Sequence, residues 1–277
     1  MLCHFQVFYL GCAVFGLILG LLLKKNSYVL VHLLISIYIL CLLLPFYFKD
    51  AAIRKGEPIL KVYQSNVEAI NGKYDLVVNQ IKEINPDIVL LIETSVAWDK
   101  GTISLQDKYF YNHKLLIGAF GFIFYSKMPI KSLQRRKFGT TFDCLDILLS
   151  WEGKDIRFIA AHPPPPINHE VFKIRNQHLL KYAELINEQK SIPTIVCGDL
   201  NITPWSEGYI NLKENAKLKS TRQGFGLLAS WPSWLPYRIP IDHCLLTQHF
   251  GISNTQVLPS VNSDHLPMLN EIFLIKY

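Results

Sequence analysis

Ile88-Val-Leu-Leu-Ile-Glu93 is five apolar residues in a row, closed by a carboxylate. The run is too short for a helix and shows no polar alternation, so it reads as a strand covered on both faces. The same pattern returns at Thr194-Ile-Val-Cys-Gly-Asp-Leu-Asn201, where an apolar run ends in Asp199 and Asn201. Around these two runs, residues 59–67, 120–125, 145–151, 156–161, 243–247 and 272–275 also predict strands. Residues 74–84 carry apolar positions at helical spacing and stop at Asn85-Pro86, which predicts a helix. Residues 171–188 predict a second, longer one. Strands and helices are mixed, with several hairpin-like neighbours. A mixed sheet fits this order better than a purely parallel winding.

The amino end is of another kind. The chain has 277 residues, 50% of them hydrophobic and 18% charged, and its mean hydropathy is +0.19. That composition excludes a disordered or collagen-like chain. The apolar excess is concentrated in residues 5–23 and 28–48, separated by Lys24, Lys25, Asn26 and Ser27. Each stretch is about 20 residues, long enough to cross about 30 Å of hydrocarbon. No basic segment precedes the first, and no small-residue cleavage site follows it, so a signal peptide fits poorly. The two stretches predict a transmembrane helical hairpin. Gly16 and Gly20, with Gly11 nearby, form a spacing that lets helices approach closely. His32 stands alone in the second span.

Three segments follow: 1–49 as two transmembrane helices, 50–57 as a linker, and 58–277 as one catalytic α/β domain. An even number of spans leaves both ends of the chain on one side. Lys49, Arg54, Lys55 and Lys61 outnumber Lys24 and Lys25, which favours the cytoplasmic side for the domain. Cys144, Cys197 and Cys244 lie outside the spans. They are odd in number and lack a CxxC, so no disulfide framework is expected and each reads as buried packing. The net charge of +6 suits a phosphate-bearing substrate but is not the dense basic stripe of a dedicated DNA binder. The cluster Lys131, Arg135, Arg136 and Lys137 reads as a solvated loop.

Polar residues gather where strands end. Asn66 closes the first strand and Glu93 the second. His162 follows residues 156–161 and precedes four prolines. Asp199 and Asn201 follow the run 195–198, Asp242 opens residues 243–247, and Asp264-His265 stands before Leu266-Pro267. Strand-end loops are where such scaffolds place their chemistry. Taken singly, each residue is an ordinary turn or cap. Together they form an oxygen-rich set with two histidines, which suits a hard divalent cation such as Mg²⁺ or Mn²⁺ rather than structural zinc.

The ordered set Gln64-Ser-Asn66, Leu91-Ile-Glu93-Thr, Gly121-Phe-Ile-Phe-Tyr-Ser126, Ala161-His162-Pro, Gly198-Asp-Leu-Asn201, Ile241-Asp242-His and Ser263-Asp264-His265 resembles the endonuclease/exonuclease/phosphatase superfamily, which includes DNase I-like nucleases, inositol polyphosphate phosphatases and neutral sphingomyelinases. The stretches Asn201-Ile-Thr-Pro-Trp-Ser206, 162–166 and Ile239-Pro-Ile-Asp-His243 look closer still to a bacterial, membrane-anchored branch, which implies an inner-membrane location. The resemblance implies a four-layer sandwich, two mixed β-sheets face to face with helices outside. It also implies roles. Glu93, Asn66 and Asp264 match the metal site. His265 matches the base for an attacking water, with Asp242 as its acidic partner, although activation of water falls to Asp199 in some relatives. Asp199 and Asn201 match residues that position water and phosphate. His162 matches a group that stabilises the phosphate or protonates the leaving oxygen.

Beyond the matched motifs, Arg175 on the predicted helix 171–188 is placed to reach phosphate or to lie on the helix surface. His243 alternates with Asp242 along a strand, so only Asp242 is expected to face the site. Trp205, Trp231 and Trp234 suit stacking on a base, contact with lipid headgroups, or core packing. The resulting expectation is a membrane-anchored, metal-dependent phosphodiesterase. Nucleic acid is its leading substrate class, and a phospholipid or inositol-phosphate headgroup the alternative. An inactive membrane-tethered binding module is the third reading, and the near-complete set of polar residues argues against it.

Overall fold

The computed structural model describes residues 2–48, 58–140 and 142–275. The expected linker, 50–57, lies outside the described residues. Helices α1 (Gln6–Leu22) and α2 (Asn26–Leu43) pack as an antiparallel hairpin, and a short 3₁₀ turn, Leu44–Tyr47, follows where Pro45 stops the second helix. With their flanking turns both are long and apolar enough to cross a membrane, and few of their residues are buried. The glycine spacing has a local cause. A Cβ on Gly16 would fall 2.1 Å from the His32 ring, and one on Gly20 3.1 Å from Val29. His32 therefore packs into the gap that Gly16 leaves, and its Nδ1 lies 2.9 Å from the Tyr28 carbonyl.

The remaining elements follow in chain order as β1 (Leu60–Asn66), α3 (Tyr74–Ile84), β2 (Ile88–Thr94), α4 (Val96–Gly101), β3 (Tyr111–Leu115), β4 (Gly121–Ser126), β5 (Ile130–Lys137), β6 (Asp143–Trp151), β7 (Lys154–Ala160), α5 (His169–Asn187), β8 (Thr194–Asp199), α6 (Glu207–Asn215), β9 (Lys219–Ser220), β10 (Asp242–Leu246), β11 (Phe250–Val257) and β12 (Met268–Leu274). They form two six-stranded sheets, β11-β12-β1-β2-β4-β3 and β5-β6-β7-β8-β10-β9. Each sheet is mixed: β1 runs parallel to β2 and β7 parallel to β8, and the other pairs are antiparallel.

The apolar runs are continuous because both faces of the central strands are covered. In β2, Ile88, Leu90 and Ile92 enter the core between the sheets, while Val89 and Leu91 pack outward under α3. In β8, Ile195 and Cys197 face the inter-sheet core, and Val196 faces α5 and α6. The helices α3 and α5 match the sequence expectation closely. Asn85, in the left-handed conformation, terminates α3, and Asn168 caps α5 by accepting from Val171 N at 2.9 Å.

Two expectations are corrected. The cluster Lys131, Arg135, Arg136, Lys137 is the edge strand β5, not a loop. Its cations pair across to β6 and β7: Arg135 with Asp143, Arg136 with Asp146, and Lys131 with Asp155. Cys197 and Cys244 sit opposite each other in the β8–β10 register and form a disulfide. No spacing signal marks it, because only strand register brings the two together.

Asp146 lies beneath this edge. It accepts both Nε and Nη2 of the buried Arg157, at 2.6 and 2.7 Å, and Arg157 also donates to the Leu185 carbonyl at 2.7 Å. Burial alone would raise the Asp146 carboxyl, but Arg157 and Arg136 outweigh it and hold it below the ordinary value. Asp146→Ala strands the Arg157 charge in the interior, and the expected loss is about 3–5 kcal/mol, read from chemical denaturation. Because the folded value is depressed, the wild-type contribution is complete above the ordinary carboxylate range and disappears as pH falls through the depressed value. The stability gap between wild type and variant should close in acid.

Candidate active site

The site forms where β1 and β2 of one sheet meet β8 and β10 of the other. Asn66 ends β1. Its Nδ2 donates to Glu93 Oε1 at 2.8 Å and to Asp199 Oδ2 at 3.2 Å, so one amide holds a carboxylate from each sheet. Glu93 has φ of +58° and coincides with a register shift between β2 and β4. That irregularity turns its side chain out of the pleat and towards the cleft.

Asp199 is fully buried at the end of β8, and its Oδ1 accepts the Asn201 backbone N–H at 2.9 Å. Gly198 before it is dictated by space, since a Cβ there would fall 1.8 Å from the Ala161 carbonyl oxygen. That close approach brings the loop after β7, with His162, against β8. Asn201 donates its amide to the Pro163 carbonyl at 3.0 Å and fixes the same loop.

His162 is buried, with Nε2 3.6 Å from Glu93 Oε1 and 3.8 Å from Asp199 Oδ2. Among the described residues neither of its ring nitrogens has a hydrogen-bond partner. A buried polar group left this way calls for a ligand. Glu93, His162 and Asp199 each bring one ligand atom within 4.8 Å of the others. Two carboxylate oxygens with one imidazole nitrogen form a donor set that fits a divalent cation.

On the far side, His265 Nδ1 lies 2.8 Å from Asp242 Oδ2, and its Nε2 lies 3.6 Å from Asp199 Oδ2. Asp242 also accepts from Ser230 Oγ. His265 is held from behind as well, because its backbone N–H donates to Ser263 Oγ at 3.1 Å and Ser263 donates to the Asn66 carbonyl at 2.8 Å.

The electrostatics follow from burial and spacing. Burial raises Asp199 to about 7, and Asp242 and Glu93 push it the same way while His265 opposes them. Burial raises Glu93 too, and the Asn66 hydrogen bond offsets part of that. Burial lowers His162 to about 3, aided by His265, which keeps the ring neutral. Burial also acts to lower His265, but the carboxylates of Asp242 and Asp199 overcome it and raise the ring to about 10. Asp242 is held low by His265 and Ser230 against the effect of its burial.

Not every expected residue converges. Asp264 lines the cleft but stands outside the ligand-distance groups, with Oδ2 accepting from Trp231 Nε1 at 3.0 Å. Arg175 is neither a phosphate ligand in the cleft nor a surface residue. It is buried, donating to the Asn201 carbonyl and to Asn176 Oδ1, so it braces the loop from below. His243 points away from Asp242 as expected, with Nε2 2.7 Å from the Ile202 carbonyl and Nδ1 2.9 Å from Arg222. Ser230, Arg222 and His4 were not foreseen. Arg222 ties the loop 222–228 to β10 through Leu227, Leu228 and Asp242 carbonyls. Nothing in their sequence neighbourhoods marks them, because each acts on a partner distant in the chain.

The chain matches the model of the Endonuclease/Exonuclease/phosphatase family over residues 63–265. No curated protein matches it by sequence. Among solved structures, an endonuclease/exonuclease/phosphatase family protein from Bacteroides thetaiotaomicron superposes with a TM-score of 0.66 at 17% identity, covering 79% of this chain and 99% of that one. TDP2 from D. rerio, complexed with a single-strand DNA product, gives 0.68 at 16% identity, with 78% and 99% covered. The mannosyl-6-phosphatase Bt3783 of B. thetaiotaomicron gives 0.64 at 17% identity, with 78% and 100% covered. At these identities the likeness establishes the fold.

The Asp242–His265 contact yields a measurable expectation. In Asp242→Asn, with divalent cations chelated, the His265 ring should titrate lower by about 1–3 pH units, read by NMR of its ring protons. An unmoved titration would locate the source of its basicity elsewhere.

Proposed function

The chain belongs to the Endonuclease/Exonuclease/phosphatase family, a family of phosphate-ester hydrolases, and from that premise we propose that it is a membrane-anchored phosphoesterase dependent on Mg²⁺ or Mn²⁺. The observation that carries the reading is His162, buried between two carboxylates with both ring nitrogens unpartnered among the described residues. In this reading Glu93 and Asp199 hold the cation, Asn66 fixes the angle between their carboxylates, and Asp264 contributes from the rim of the cleft. The cation supplies Lewis-acid stabilisation of the phosphoryl oxygens and the leaving oxygen.

The chain's own residues do the rest. His162, neutral and buried beside the cleft carboxylates Glu93 and Asp199, offers an N–H donor to a phosphoryl oxygen held between them, and Asn201 lines the cleft wall. Asp199 and His265 stand 3.6 Å apart. Water placed against that pair gives it a proton, and a proton returns to the leaving alcohol. Asp242 and Ser230 keep the imidazole oriented through the cycle. The apolar hairpin, open on its outer faces, supports the membrane assignment.

The cleft lining bears on the substrate. Nucleic acid would need cations along the wall for its neighbouring phosphates. Among the described residues lining the cleft, none is Lys or Arg, while Phe5, Pro165, Pro166, Ile167, Ile239 and Ile241 are apolar. The geometry favours an isolated phosphate ester with an uncharged remainder.

With a soluble aryl phosphodiester as substrate, Asp199→Ala and His265→Ala should each lower turnover by about 10²–10⁴. Chelation should abolish activity, and Mg²⁺ or Mn²⁺ should restore it. A His265→Ala enzyme of wild-type rate would remove the pair from the mechanism.

A further inference from the structure

We propose that the substrate is a membrane-resident lipid phosphate ester, whose phosphate enters the cleft while its hydrocarbon chain lies in an apolar groove along α1. This deepens the phosphoesterase reading and rests on it, and on the hairpin lying in a bilayer.

The hairpin is part of the active site's wall. His4 and Phe5, which lead into α1, line the same cavity of about 440 Å³ as Glu93, Asp199 and His265. Their position is fixed, because His4 Nδ1 lies 2.9 Å from Thr203 Oγ1, two residues beyond Asn201. The other end of the hairpin is fixed as well. The Phe46 carbonyl accepts the backbone N–H groups of Gly224 and Gly226 at 3.0 and 2.8 Å, and the Pro45 carbonyl accepts Gln223 Nε2 at 2.7 Å. Both domain-side ends of the hairpin are thus clamped to the domain. With the hairpin in a bilayer, the cleft would therefore lie at the membrane surface.

A second cavity, of about 370 Å³, begins two residues further along α1. Val7, Phe8, Gly11, Cys12, Phe15 and Tyr237 line it. Tyr237 meets Phe8 with ring centroids 5.8 Å apart. Two residues on, Ile239 stands in the wall of the cleft, followed by Ile241. The segment 237–241 therefore borders both spaces. A Cβ at Gly11 would meet no atom within 4 Å, so the groove is open along its floor. Ile167, in the cleft lining, is 76% exposed, and Trp234, three residues after the lining residue Trp231, is 68% exposed. Large apolar and indole groups at that level suit the membrane interface.

Polarity is therefore sorted along one path, with carboxylates and imidazoles at the inner end and apolar side chains towards the hairpin. That is the complement of an amphiphile with its phosphate foremost. In hydrolysis the water oxygen bonds to phosphorus and the bond from phosphorus to the leaving alcohol oxygen breaks. The proton lost by water ends on that alcohol.

The test uses the full chain in phosphatidylcholine nanodiscs with Mn²⁺. The discs are doped in turn with phosphatidic acid, phosphatidylglycerol, phosphatidylinositol and sphingomyelin. Bis(4-nitrophenyl) phosphate and a single-stranded oligonucleotide serve as soluble esters. Turnover of at least one doped lipid is expected. Gly11→Phe, which fills the groove without a clash at Cβ, should lower the ratio of lipid to aryl-ester turnover at least tenfold. Leu22→Phe, far along the exposed face of α1, should leave that ratio unchanged. Two results overturn the proposal while leaving the phosphoesterase reading intact: the aryl ester or oligonucleotide is cleaved but no doped lipid is, or Gly11→Phe lowers lipid and aryl-ester turnover alike. Silence on every ester, with wild type and Asp199→Ala indistinguishable, would overturn both.

Discussion

One amide group joins the halves of this molecule where its chemistry lies. Asn66 stands on the first sheet and reaches the carboxylate of Glu93 on its own sheet and that of Asp199 on the other. Both acids are buried enough that burial raises their pKa values. They are tolerable at short range only because donors and His265 face them. The inter-sheet core sets the separation of the sheets, and that separation sets the distance between the two acids. A substitution at Asn66 would therefore be felt by both acids at once.

The surrounding interactions are arranged to keep loops, rather than strands, in place. Gly198 lets the β7 loop touch β8, Asn201 grips Pro163, and Arg175 braces Asn201 from below. On the other flank Arg222 ties its loop to β10, and Ser263 links His265 to the end of β1. Each of these residues acts by positioning another. The excess of carboxylate over cationic side chains is kept for the cleft itself, where a divalent ion would balance it.

Much of this was legible in the sequence. Runs buried on both faces, such as 88–92, announce themselves by lacking any polar alternation, and the residues that end them are the ones that converge. Features set by pairing across the sheet were not legible. Strand β5 looked like a charged loop because its neutralising partners lie on β6 and β7. Cys197 and Cys244 looked unrelated because only strand register makes them opposite. Arg175 looked accessible because helical spacing alone does not reveal that its guanidinium turns inward to the Asn201 carbonyl. His4, within an apolar stretch, carried no mark of its bond to Thr203.

The clamped hairpin has a kinetic consequence. A domain hung on a long tether samples a volume above the bilayer and meets its partners in three dimensions. Here the contacts of His4 at one end and Phe46 at the other leave the cleft little freedom to tilt or lift away. In a membrane such an enzyme searches a plane. If the hairpin sits in a bilayer and the target is a lipid, encounters would be set by lateral diffusion and by the mole fraction of that target, so diluting the bilayer with inert lipid would slow the enzyme, whereas diluting the buffer would not.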